Sequence, residues 1–88
     1  AAYRAPGAPQ TVFAVECCLD EIAQRLGMDP LDLRLKNAAR AGNPGVFGMP
    51  LGEVGYAECL EAAKAHPHYS APLGPNQGRG YACGFWFN

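Results

Sequence analysis

The sequence predicts an α+β chain of about three helices followed by one strand. Three observations carry this. Apolar residues recur at spacings of three and four through residues 12–26 and again through 31–38. Proline and glycine stand where helices start and stop. Residues 79–87 alternate bulky and small side chains with a period of two. A single strand cannot make a sheet, so its partner strands are expected elsewhere, and the chain reads as an internal piece of a longer protein.

The elements follow in order. Residues 1–10 form a rigid loop in which Pro6 and Pro9 fix φ and remove N–H donors, while Gly7 permits a turn closed to other residues. Pro9 suits a first helical turn. In the first helix Val12, Val15, Leu19, Ile22 and Leu26 make one apolar stripe, widened by Phe13 and Ala23. Glu16, Asp20, Glu21, Gln24 and Arg25 are expected on the solvent side. Gly27 ends the helix as a left-handed cap. Asp29 and Pro30 then start a second helix, with Asp32 favourable at the positive end of its dipole. Leu31, Leu35 and Ala38 share a face, Arg34, Lys36 and Arg40 suit the negative end, and Gly42 and Pro44 close it. Residues 42–55 are a loop rich in glycine whose Val46, Phe47, Met49 and Leu51 are expected to pack on something. A third helix is expected over about 55–66, stopped by Pro67. Residues 67–78 read as a second loop. In the strand, Tyr81, Cys83, Phe85 and Phe87 point one way, and Gly80, Ala82, Gly84 and Trp86 the other, where a second backbone could approach closely.

Composition narrows the function. With 88 residues the chain makes one small domain at most, and 49% apolar content argues against disorder. A net charge of −1 disfavours nucleic acid and polybasic membrane contact. No apolar run is long enough to span a membrane, so no membrane insertion is expected. The four cysteines, Cys17, Cys18, Cys59 and Cys83, lack metal-ligand spacing and read as reduced thiols of an intracellular protein.

The residues assemble no self-contained active site. Gly78, Gly80 and Gly84 miss the dinucleotide spacing and open a strand rather than a helix. His66 and His68 flank a proline at a helix end and read as solvated. The first helix's carboxylates read as a charged surface. The unusual feature is the loop around Arg4, whose guanidinium offers five donors in a planar fork suited to an anion or to the oxygen of a metal centre.

Three stretches together resemble the large, molybdenum-cofactor-binding subunit of the xanthine dehydrogenase and aldehyde oxidoreductase family. Tyr3-Arg4-Ala5-Pro6-Gly7-Ala8-Pro9-Gln10 is similar to that family's A-[YF]-R-[GA]-x-G-x-P-Q loop. Leu19-Asp20-Glu21-Ile22-Ala23, continuing through Leu26-Gly27-Met28-Asp29-Pro30-Leu31-Asp32-Leu33-Arg34-Leu35-Lys36-Asn37, resembles its helix pair. Gly78-Arg79-Gly80-Tyr81-Ala82-Cys83-Gly84-Phe85-Trp86 is similar to its G-x-G-x-A-x-G-x-W strand. The resemblance covers essentially the whole chain. It implies a fragment of a larger molybdenum-cofactor-binding domain: residues 1–10 as cofactor loop, 11–66 as helical part, 79–88 as the start of a sheet.

That resemblance also implies a function. The family oxidises an aldehyde or an N-heteroaromatic carbon with water-derived oxygen, using a glutamate base. The cofactor implied is molybdenum-molybdopterin, in its cytosine dinucleotide form in a bacterium. Iron–sulfur clusters, and often FAD, sit in partner domains or subunits. Arg4 and Ala5 match the cofactor-binding positions, with Arg4 meeting the molybdenum centre mainly through its backbone. Pro6 matches a substrate-facing position where purine- and aldehyde-oxidising members often carry Phe or Tyr, which argues against a purine substrate. Ala5 stands where the carbon monoxide dehydrogenase branch has a copper-binding Cys, which argues against that activity. No Glu here matches the catalytic base, so these residues are expected to be inactive alone. A cytoplasmic location is expected, with the periplasm open. The alternatives are a non-catalytic helical interaction module and a cofactor-free relative.

Overall fold

The computed structural model describes residues 4–84. Among the described residues four helices run in order: α1 (Ala8–Leu26), α2 (Pro30–Lys36), α3 (Tyr56–Ala65) and α4 (Pro67–Ser70). Local chemistry sets most of their ends. Gly7, at φ 83, is the N-cap of α1, and Pro9 lies in its first turn. Gly27, at φ 62, terminates it: Gly27 N–H donates to Gln24 O at 3.2 Å and Met28 N–H to Ala23 O at 2.9 Å. Asp29 caps α2, its Oδ1 accepting from Leu31 N at 2.8 Å and Asp32 N at 3.1 Å.

Two expected helix boundaries move. The second helix stops at Lys36 rather than running toward Arg40, because Asn37 Nδ2 donates to Leu33 O at 2.8 Å while Asn37 N turns to Arg34 O at 3.1 Å. That tightens the last turn and satisfies a carbonyl that a longer helix would use. Pro67 stops α3 but also opens α4. His66 Nδ1 accepts from His68 N at 3.1 Å, so the residue that ends one helix caps the next.

The core is small and lies where α2 packs between α1 and α3. Ala23, Leu31, Leu33, Ala57 and Leu60 are its buried apolar residues, with Leu31 and Leu60 the largest fully enclosed side chains. Between α2 and α3 the chain folds into a tight hairpin. Gly42 N donates to Leu51 O at 2.9 Å, Leu51 N to Asn43 O at 2.8 Å, and Gly45 N to Met49 O at 2.7 Å, around an isolated bridge between Pro44 and Pro50. Its tip was expected to pack, yet Val46, Phe47 and Met49 are 85%, 85% and 74% exposed.

The architecture of the described residues is therefore mostly helical, and the expected strand does not form within them. Residues 79–84 carry no regular secondary structure, and the rest of the expected strand, 85–88, lies outside the described residues. No neighbouring strand faces 79–84, and the Cys83 amide donates instead to the Glu16 side chain at 2.8 Å. A ladder needs a second backbone, and here a carboxylate takes the donor. The chain exposes 7117 Å², against roughly 5,000 Å² for a compact monomer of this mass. Its radius of gyration is 15.0 Å, against roughly 12 Å for a compact domain of this length.

Candidate cofactor loop and its buried support

The loop residues singled out in the sequence stand together ahead of α1. Arg4 is exposed and makes no hydrogen bond or ion pair with another described residue. Ala5 is half-buried at φ 41, in the left-handed region that a residue with a Cβ rarely enters. Pro6 is exposed, and Gly7 turns the chain into the helix. The turn is held by Ala8 N donating to Ala5 O at 3.1 Å and by Thr11, whose N at 3.1 Å and Oγ1 at 3.0 Å both donate to Gly7 O. Tyr3 lies outside the described residues. The first turn of α1 contains no acidic residue. An exposed guanidinium and a helix N-terminus with no carboxylate nearby leave a locally positive corner, compatible with an anionic or oxygen-bearing group.

Farther along α1 stands a cluster whose carboxylates the sequence reading put in solvent. Glu16 is buried, not exposed. Its Oε2 accepts from Arg34 Nε at 3.0 Å and Nη2 at 2.8 Å, and from the Cys83 backbone N at 2.8 Å. Arg34 Nη2 also reaches Asp20 Oδ1 at 2.9 Å and Glu16 O at 3.3 Å, while Nη1 donates to Pro30 O at 3.0 Å. Burial works to lower the Arg34 pKa, but the bonds to Glu16 and Asp20 outweigh it and hold it above the ordinary arginine value. This arginine was assigned to the helix dipole. The available signal was its place in the middle of Leu31-Asp32-Leu33-Arg34-Leu35, a cation within a helix that buries its neighbours, together with two acids one helical turn apart at Glu16 and Asp20. Of the expected surface carboxylates Glu16 is buried, Asp20 is half-exposed, and Glu21 is exposed, pairing across one turn with exposed Arg25 at 3.6 Å.

The cluster fixes three segments against one another: α1, α2 and residues 79–84. Gly84 adds to this, since a Cβ built there would lie 3.5 Å from Val12 Cγ1. Glycine thus approaches a side chain of α1 rather than a neighbouring backbone. Between α1 and 79–84 runs a shallow groove of ≈ 270 Å³, lined by Phe13, Cys17, Tyr81 and Ala82 above the carboxylates of Glu16 and Asp20. Cys83 and Tyr56 share a side-chain hydrogen bond; burial, first, raises both groups, Tyr56 to about 12.

A second polar node ties α2 to α4. The Tyr69 hydroxyl donates to Asp29 Oδ2, and Arg79 Nη1 donates to Tyr69 O at 2.6 Å, with Nη2 on Ala71 O. Burial works to raise the Asp29 pKa, but the bonds from Tyr69 and from the Asp32 and Leu31 amides, with the charge of Lys64, bring it below the ordinary 3.8. Tyr69 is pushed up to about 12, first by its bond to Asp29. No group of three or more His, Cys, Asp or Glu among the described residues could hold a metal ion. No described helix is long and apolar enough to cross a membrane.

Comparison with known proteins points to a cofactor-binding family. The family described as the molybdopterin cofactor-binding domain matches residues 1–38, which include the loop, α1 and all of α2. The chain is 51% identical over 65 residues to a putative xanthine dehydrogenase molybdenum-binding subunit of Escherichia coli, covering 72% of this chain and 8% of that one. It is 52% identical over 56 residues to the aldehyde oxidoreductase of Megalodesulfovibrio gigas, covering 56% and 6%. It is 39% identical over 64 residues to the nicotinate dehydrogenase large molybdopterin subunit of Eubacterium barkeri, covering 72% and 15%. The chain therefore spans a small part of the length of each of these relatives. No solved structure gives a significant match.

Proposed function

Because this chain belongs to the xanthine dehydrogenase and aldehyde oxidoreductase family, as a segment of its molybdenum-binding subunit, we propose that it builds one wall of a molybdenum-cofactor pocket in a substrate-oxidising enzyme. The observation that carries the reading is the coincidence of the family match over 1–38 with a positive, acid-free helix N-terminus behind Arg4. When bound, the cofactor supplies the metal-centred oxidation that places a water-derived oxygen on an aldehyde or N-heteroaromatic carbon.

The chain's own residues position and exclude. Residues 1–10 are the cofactor loop. The main chain at Arg4 and Ala5 faces the molybdenum centre, and the Ala8–Ala5 bond at 3.1 Å holds that main chain in place. Pro6 faces substrate, presenting a rigid apolar ring without a donor. Residues 11–66 are the helical support of that loop. Residues 79–88 start a sheet once partner strands are supplied by the remainder of the subunit. The catalytic glutamate lies outside these residues, so the chain is inactive alone. The cofactor is the cytosine dinucleotide form in a bacterial host, and electrons leave through iron–sulfur clusters, commonly to FAD, in partner domains or subunits. The enzyme works in the cytoplasm or periplasm.

The test is the subunit expressed from its complete reading frame and analysed for metal. Stoichiometric molybdenum in folded protein is the expected result. A well-folded subunit free of molybdenum would reject the reading in favour of a cofactor-free relative.

A further inference from the structure

Among the described residues, the hydrogen bonds that hold the turn ahead of α1 converge on one peptide unit, the one joining Gly7 to Ala8. Its N–H donates to Ala5 O at 3.1 Å. Its carbonyl accepts twice from Thr11, from the backbone N at 3.1 Å and from Oγ1 at 3.0 Å. A peptide is planar, so fixing its carbonyl also fixes its N–H on the opposite side. Through this one rigid unit Thr11 reaches the carbonyl of Ala5, and with it the bond into Pro6.

The turn has little else to hold it. Gly7, at φ 83, brings no side chain to cap α1, and Ala5, at φ 41, sits in a conformation that its Cβ opposes. Pro6 and Pro9 have no N–H to donate. Glycine also leaves the peptide after it freer to rotate than any other residue would. The bond from Thr11 N is the ordinary helical one, which any non-proline residue makes. The bond from Thr11 Oγ1 depends on the side chain. Branching at Cβ restricts that hydroxyl to few rotamers, and one of those favoured in a helix returns it to the carbonyl four residues back.

We propose that Thr11 is a positioning residue of the cofactor loop. Its hydroxyl locks the Gly7–Ala8 peptide, and that peptide holds the main chain of Ala5 and the ring of Pro6 in one orientation toward the metal centre and the substrate. The proposal rests on the cofactor-pocket reading for what the loop meets. Thr11 acts on neither group directly.

The experiment uses the complete subunit with Thr11→Val, which keeps the branched shape and the backbone bond but loses the hydroxyl, and Thr11→Ser, which keeps the hydroxyl. Amide exchange at Ala8 is read by fragmentation mass spectrometry, with Ile22, farther along α1, as control. The Mo(V) electron paramagnetic resonance signal of each protein is recorded after reduction by dithionite. In Thr11→Val, exchange at Ala8 is expected to rise about fivefold, the size of one net hydrogen bond, with Ile22 unchanged and the Mo(V) signal altered. Thr11→Ser should return both readings to wild type. Unchanged Ala8 exchange or an unchanged Mo(V) signal in Thr11→Val would overturn the proposal. So would a Thr11→Ser protein that behaves as Thr11→Val does, or faster exchange at Ile22 as well, which would mark a general loosening of the helix. A wild-type subunit without molybdenum would reject the cofactor reading alone, and Ala8 exchange in the three proteins would still uphold or reject the lock.

Discussion

Glu16 on α1 and Arg34 on α2 form a buried fork in which one carboxylate oxygen accepts from two guanidinium nitrogens, at 3.0 and 2.8 Å, and from the backbone of Cys83 at 2.8 Å. One side chain thereby holds two helices and a distant segment. Arg34→Ala leaves the Glu16 carboxylate buried without a countercharge and is expected to cost about 3–5 kcal/mol of stability. Arg34→Lys keeps charge but not the fork, and should recover only part of that loss. Replacing both partners by Met and Leu should cost less than Arg34→Ala alone. Denaturant unfolding of the folded subunit and its variants measures each value. A double replacement as damaging as the single one would contradict this account.

How much of this was legible beforehand depends on the range of the interaction. The caps at Asp29 and Gly27 and the prolines at helix starts are settled within four or five residues, and they stand where the sequence put them. The facing of α1 was legible only in part. Its periodicity correctly sets Ala23 inward, but Glu16 of the polar side is buried beside it because of a cation eighteen positions away. An apolar stripe also implies burial only when its covering partner is present. The loop residues Arg4, Ala5 and Pro6 could be singled out from rigidity and motif, whereas the buried cluster of Glu16 and Arg34 needed the fold.

Gly27 tests the local end of this reasoning. A Cβ added there meets nothing within 4 Å, so the penalty is purely conformational at φ 62. Gly27→Ala is expected to destabilise by about 1–2 kcal/mol, and Gly27→Asn by less, because Asn enters the left-handed region more readily. Thermal unfolding of the two variants gives the order, and an unchanged midpoint for Gly27→Ala would refute the strained-cap explanation.

The hairpin offers a contrast between crowding and open space. A Cβ on Gly45 would come within 3.0 Å of Met49 O and 3.2 Å of Leu51 Cδ2, whereas one on Gly52 meets nothing within 4 Å. Gly45→Ala must displace backbone and should weaken the bond from Gly45 N to Met49 O. Gly52→Ala should be close to neutral. Amide exchange at Gly42, Gly45 and Leu51 reads the difference, with faster exchange expected only in the first variant.

The Asp29–Tyr69 bond predicts stability changes at both ends of the pH scale. Asp29 titrates below its ordinary 3.8 in the folded chain. Its contribution is present above the unfolded pKa and is lost as pH falls through the folded value. Tyr69 is raised from 10.0 to about 12, so its contribution is present below 10 and is lost as pH rises toward about 12. Asp29→Asn keeps an acceptor for the α2 amides while removing the charge, and should flatten the acid dependence and lower the Tyr69 titration toward 10. Asp29→Ala removes the cap as well, at about 1 kcal/mol. Spectroscopic titration of tyrosinate in wild type and Asp29→Asn decides it; the same Tyr69 midpoint in both would show that Asp29 is not the cause.

The last prediction separates the backbone of the loop from the charge of Arg4. Ala5 holds φ 41 although it carries a Cβ. Such a conformation costs about 1–2 kcal/mol, and glycine adopts it freely. If the main chain at residues 4 and 5 is what meets the cofactor, Ala5→Gly should retain molybdenum in the complete subunit. Ala5→Val, with a branched side chain that resists the left-handed region, should lose it. Arg4 is exposed and pairs with no described residue, so Arg4→Ala leaves no buried group unsatisfied and should preserve folding and metal content. It should still lower kcat, because it removes the guanidinium's donors from the edge of the proposed pocket. Metal analysis and steady-state kinetics on the same preparations distinguish the two effects. Loss of molybdenum in Arg4→Ala would assign the role to the guanidinium instead, and unchanged kinetics would remove Arg4 from the site.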